Sequence, residues 1–164
     1  VVRRLLRTGG LSERDLGCPP DLPMEPEARR SAAGPQRITH NCSGKHAGML
    51  LACERSGAEL ASYLEPSHPL QREIVRAVRS ATGVRRPAIG VDGCGAPVHG
   101  LPLRGMATLF ARLARPERLG TLGERAARAV AAMRSAPTMT ACTLPSRITW
   151  PAILSQISVA SMPR

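Results

Sequence analysis

Residues 40–48 read His40-Asn41-Cys42-Ser43-Gly44-Lys45-His46-Ala47-Gly48, and residues 91–97 read Val91-Asp92-Gly93-Cys94-Gly95-Ala96-Pro97. Each stretch sets a cysteine among small residues that let the backbone turn. The Gly44-Lys45 pair is not a phosphate-binding loop, because that pattern needs Gly at 39 and Ser or Thr at 46, where this chain has Thr39 and His46. The spacing predicts a helix opening at Ser43. A lysine in the first turn of that helix opposes the helix dipole, at a cost of ~0.3–1 kcal/mol. The placement becomes sensible if the amine works uncharged, since dipole and burial both push its pKa down. The same helix end favours a Cys42 thiolate. Cys42 and Lys45 can then share a soft metal ion such as zinc, or act together as nucleophile and base. Asp92 and Cys94, two residues apart in one loop, are candidate further ligands, with His40 and His46 as second choices flanking Cys42. The plainer alternative makes Cys42 and Cys94 small core residues, the common fate of free cysteines.

Lys45 is informative because it is the chain's one lysine beside 22 arginines. Where guanidinium serves almost every cationic position, a retained ammonium points to chemistry that needs a group able to lose its proton. The net charge of +11 is spread along all 164 residues, with no arginine block longer than two. Nucleic-acid binding clusters such charge on a face or in a run. With aromatics at 2% there is also little on which to stack bases. A basic nucleic-acid or anionic-surface binding module is therefore the weaker alternative. Five widely spaced cysteines without a C-x-x-C pair argue against a zinc ribbon or a disulfide scaffold and fit a reducing cytoplasm. No apolar run approaches the ~20 residues that span a bilayer.

Around these motifs the chain alternates helical and short extended segments, an α/β (α+β) pattern. Val1, Val2, Leu5 and Leu6 share a helical face that Gly9-Gly10 end. Ser12 and Asp15 can cap a short turn. The proline-rich stretch from Cys18 to Pro35 predicts a connection with little regular structure, and Ile38-Thr39-His40-Asn41 leans to β. A helix is expected over 68–82, capped by Ser67, with Leu70, Ile74 and Val78 on one face and Gly83 as its end. Ala88-Ile89-Gly90-Val91 reads as a buried strand, Val98–Leu101 as its return, and helices are expected near 103–114 and 123–134. From Ser135 onward nine of thirty residues are Ser or Thr, and no acidic residue follows Glu124. Residues 1–135 therefore read as the domain and 136–164 as a divergent tail outside it.

The two motifs resemble those of the L-asparaginase II family, the bacterial and fungal, thermolabile rhizobial type, which carries H-N-C-S-G-K-H-A-G followed some fifty residues on by D-G-C-[GS]-A-P. Both stand intact here, and the flanks at Gly10-Leu11, Leu60–Leu64, His68-Pro69-Leu70-Gln71 and Leu101-Pro102-Leu103 are similar over roughly residues 1–135. The resemblance implies a fold like that of the serine β-lactamases and glutaminases, and hydrolysis of L-asparagine to L-aspartate and ammonia. It also implies a zinc site of Cys42, Lys45 and Cys94 with Asp92 beside it, and a homodimer. The family's S-x-x-K nucleophile motif is not in these residues, since Lys45 is the only lysine and Cys42 stands three before it. The expectation is thus a central fragment with the metal half of a site, of doubtful activity by itself. Cys42 with Lys45 remains an alternative dyad.

Overall fold

The structure is a computed structural model, and it describes residues 1–136. The expectations for the serine- and threonine-rich tail lie, apart from its first residue, outside the described residues. The chain divides into two compact units, Val1–Ala107 and Thr108–Arg164. Helices dominate, with one two-stranded antiparallel sheet, so the class is α+β.

The first unit is organised by two packed helices. Helix α1 (Val2–Thr8) lies along α3 (Ser43–Ser56) and places Leu6 in the core while Val2 and Leu5 pack beside it. On α3, Ser43, His46, Ala47, Leu50 and Cys53 recur at helical spacing, and all are buried. Gly9 lets the α1 end approach closely, because a Cβ there would lie 2.6 Å from Leu51 Cδ2. Gly57 ends α3 in the left-handed region at φ 66°. With Leu16, Cys18, Tyr63, Cys94 and Ala96 these side chains form the core, nearly free of aromatics as the composition requires.

Between the two helices the sequence reading needs correction. The proline-rich connection contains a short helix, α2 (Pro26–Ser31), because Glu25 caps it by accepting from the Glu27 and Ala28 amides at 3.0 and 2.6 Å and Pro26 sits at its first turn. Arg37–Thr39 is a 3₁₀ turn rather than a strand. Local bonds outweigh the β preference of Ile38, since the Thr39 hydroxyl bonds Asp21 O and Gln36 O at 2.5 and 3.0 Å. The Ser12–Asp15 capping box forms as expected, with Ser12 N donating to Asp15 Oδ2 at 2.7 Å.

Helix α4 (Pro69–Thr82) matches the expected span, but its cap is His68, whose Nδ1 accepts from Leu70 N at 3.1 Å, rather than Ser67. Strands β1 (Ala88–Val91) and β2 (Pro97–Gly100) pair in the register Ala88 with Gly100 and Val91 with Pro97. The expectation of a buried strand fails for β1: its four residues are exposed, Ile89 at 51% and Val91 at 77%. The reason is architectural, since among the described residues β1 has one neighbouring strand, β2, in a two-stranded sheet. Only the hairpin's turn reaches the core, through Cys94 and Ala96. Helix α5 (Leu103–Leu113) contains the boundary between the units.

The second unit, in its described part, is a 3₁₀ segment over Pro116–Leu122 folded against α6 (Gly123–Ser135). Gly123 is the point of approach, because a Cβ would lie 2.7 Å from Pro116 O.

Candidate metal centre

Two segments distant in sequence supply the site, both within the first unit. The first is the start of α3, where Cys42 is the N-cap and Ser43 opens the helix, so Lys45 stands three residues on and leaves the same end of the helix. The second is the hairpin turn. Asp92 O accepts from Gly95 N at 2.8 Å, Asp92 N donates to Ala96 O at 2.9 Å, and Gly95 takes a φ of 84° that favours glycine. This turn presents the Asp92 carboxylate and the Cys94 thiol on one side. Ligand atoms of Cys42, Asp92 and Cys94 all lie within 4.8 Å of one another. The Lys45 Nζ donates to Asp92 Oδ2 at 3.1 Å, and the Cys94 thiol to the same oxygen at 3.5 Å. The structure therefore brings together four of the six candidates.

The remaining two serve elsewhere. His40 Nδ1 accepts from Cys42 N at 2.9 Å, which holds the backbone just before the helix. His46 turns into the core, fully buried, with Nδ1 2.5 Å from the Tyr63 hydroxyl and the rings edge to face. Tyr63 Oη also accepts from Gly17 N at 2.8 Å, so the hydroxyl joins the loop before the proline-rich stretch to the His46 ring. Burial pushes the His46 pKa down to about 4, with the Lys45 charge acting in the same direction, so the ring is neutral at pH 7. Burial pushes the Tyr63 hydroxyl up to about 12, against the lowering effect of the Gly17 amide. Tyr63 and its neighbour Gln71, whose Nε2 donates to Tyr63 O at 2.8 Å, were not singled out from sequence. The available signal was rarity, for Tyr63 is the chain's one tyrosine.

The electrostatics revise the expected state of Lys45. Burial is the largest single influence and lowers its pKa, as anticipated. Asp92, Cys94 and Cys42 together outweigh it, and the net direction is upward. Without a metal the amine is an ammonium paired with Asp92, whose carboxyl is held below its ordinary value chiefly by that bond. Both side chains are about two-fifths exposed, so the pair itself contributes less than about 1 kcal/mol. Burial pushes the Cys42 thiol up, and contact with the Cys94 thiol pushes the same way, against the Lys45 charge. A protonated amine beside a protonated thiol is a poor nucleophile–base pair. It is a workable metal site, because a divalent cation displaces such protons on binding.

The donor atoms of Cys42, Asp92 and Cys94, two sulfurs and a carboxylate oxygen within 4.8 Å of one another, could hold a metal ion. An α+β unit here gathers two thiols, a carboxylate and an amine from a helix start and a hairpin turn, a group that could hold a metal ion. The sequence model of the L-asparaginase II family matches residues 1–147, and the chain belongs to that family. The match runs past residue 135, into the stretch read from sequence as divergent. No curated protein matches the chain. Family membership points to hydrolase chemistry on a small-molecule amide. No helix among the described residues is long and apolar enough to cross a membrane.

Proposed function

We propose that this chain serves the hydrolysis of the L-asparagine side-chain amide to L-aspartate and ammonia, and that it carries the metal-holding part of the site. Cys42, Lys45 and Cys94 are the ligands, with Asp92 beside them. The observation that carries this reading is the convergence of Cys42, Asp92 and Cys94 within 4.8 Å from two motifs 50 residues apart, in a chain of this family. Bound zinc would supply Lewis acidity and a fixed positive charge near an amide oxygen or a water. The residues themselves have separable duties. Asp92 takes the Lys45 proton's charge in the metal-free state and, freed from that pair, is an acceptor for a substrate ammonium or a bound water. His40 holds the Cys42 amide, and the Tyr63–His46 pair fixes the first turn of α3.

The 164 residues contain no S-x-x-K, so turnover from this chain alone is expected to be very low, as in hydrolases deprived of their nucleophile. A non-catalytic zinc-binding role for the isolated chain is the second reading, supported by that same gap. The β-lactamase-like fold, the homodimer and a cytoplasmic setting belong to this proposal through the family, and reduced thiols are what the metal site needs. The test is elemental analysis of protein folded with zinc and then desalted. One zinc per chain is expected, lost in Cys42→Ala. A well-folded protein without metal would overturn the reading. Ammonia release from L-asparagine then separates the two roles.

A further inference from the structure

Cys42 and Cys94 are two sulfurs that the fold brings to one place from positions 52 apart in sequence, and both lie in the same cluster of atoms within 4.8 Å. Their surroundings differ in a way that orders a reaction. Cys94 is 1% exposed, and Cys42, at the helix N-cap, reaches solvent. Cys18 and Cys53 are fully buried at 0%. An oxidant arriving from solvent therefore meets Cys42 first, with Cys94 behind it. Gly93 and Gly95 flank Cys94 in its turn. A disulfide requires the Cβ atoms at about 3.5–4.5 Å, and the two sulfurs start within 4.8 Å of one another.

We infer that Cys42 and Cys94 form a two-cysteine peroxide-responsive couple, in which a hydroperoxide joins them as a disulfide and so closes the metal centre. The Cys42 sulfur, acting as its thiolate after releasing its proton to solvent, attacks the terminal oxygen of the hydroperoxide. The O–O bond breaks, Cys42 becomes a sulfenic acid, and the departing oxygen takes up a proton from solvent, leaving as water when the oxidant is hydrogen peroxide. Cys94 then attacks the sulfenic sulfur. The S–S bond forms, the S–O bond breaks, and a second water leaves with the Cys94 proton. Two thiols lose two electrons and two protons, and the peroxide is reduced by two electrons. A thiol reductant reverses the couple. Lys45 and Asp92 take no part in the bond changes and remain paired. The pairing of the sulfurs stands on geometry alone, and its consequence for metal rests on the zinc reading above.

The experiment uses the full chain carrying Cys142→Ser, stripped of metal, treated with hydrogen peroxide at pH 8 and mapped by mass spectrometry of its peptides. The expected product has lost two hydrogens and yields one linked peptide pair joining Cys42 to Cys94. Cys94→Ser should stop at the Cys42 sulfenic acid, trapped by dimedone, and Cys42→Ser should form no linked pair. Prior loading with zinc should slow the coupling at least about tenfold, because a metal-bound sulfur has its lone pair engaged. Linkage of Cys18 to Cys94, or a Cys42 oxidised with no partner in the wild-type pair, would overturn the inference. If the disulfide forms and the reduced protein takes up no zinc, the couple stands and the zinc reading fails.

Discussion

The start of α3 and the hairpin β1–β2 contribute equally to the candidate metal centre, yet they are built in opposite ways. Helix α3 buries five side chains and lies along α1. The hairpin exposes β1 throughout, half-buries alternate residues of β2, and enters the core only through Cys94 and Ala96 at its turn. One half of the ligand set is thus held by packing, and the other is held by a turn and by the ligand cysteine itself. A site built this way needs no preformed pocket. The Asp92–Lys45 pair bridges the two halves in the metal-free protein, as a cation would in the loaded one.

Four changes break or sharpen that contrast. The largest effect is expected on the packed side. Leu50→Ala removes a fully buried side chain at the centre of α3 and should cost about 2–5 kcal/mol in urea unfolding. A cost under about 1 kcal/mol would show that the helix is not the rigid half. Next comes pH. His46 has a folded-state pKa of about 4 against 6.5 for an ordinary histidine, so the unfolded chain takes up a proton first as pH falls. Its contribution is present above about pH 6.5 and lost progressively toward pH 4, up to about 3 kcal/mol. His46→Gln should flatten the stability–pH curve in that window.

Tyr63→Phe is expected to cost about 1–2 kcal/mol, because Gly17 N and His46 Nδ1 lose their buried partner while the ring remains. A larger effect on zinc affinity than on unfolding would show that the pair orients the ligand turn as well as stabilising it. The smallest effect belongs to the exposed half: Ile89→Thr, at a residue 51% exposed, should stay within about 0.5 kcal/mol. A cost of several kcal/mol would mean that something covers β1 in solution.

The same contrast explains what was legible in the sequence. Helix α4 could be read because Leu70, Ile74 and Val78 repeat and Gly83 stops it, and the hairpin because short apolar runs flank Asp92-Gly93-Cys94-Gly95. These are local signals. The burial of β1 could not be read, since Ile89 and Val91 look alike whether or not a second layer covers them. Helix α2 was hidden by prolines that break helices in general yet favour a first turn, as Pro26 does. At the site, spacing and glycine neighbours marked Cys42, Lys45, Asp92 and Cys94. The state of Lys45 depended on which carboxylate folds against it, a tertiary fact. His46 could serve equally as a ligand or a core residue until Tyr63 was found opposite it.

Titration with cobalt(II), followed by absorption, addresses the joining of the two halves most directly. Intense sulfur-to-metal charge-transfer bands are expected to saturate at one ion per chain, weaken in both Cys42→Ser and Cys94→Ser, and disappear in the double variant. Cobalt bands unchanged by either substitution, or none in the folded wild-type chain, would contradict a metal site shared by the two halves.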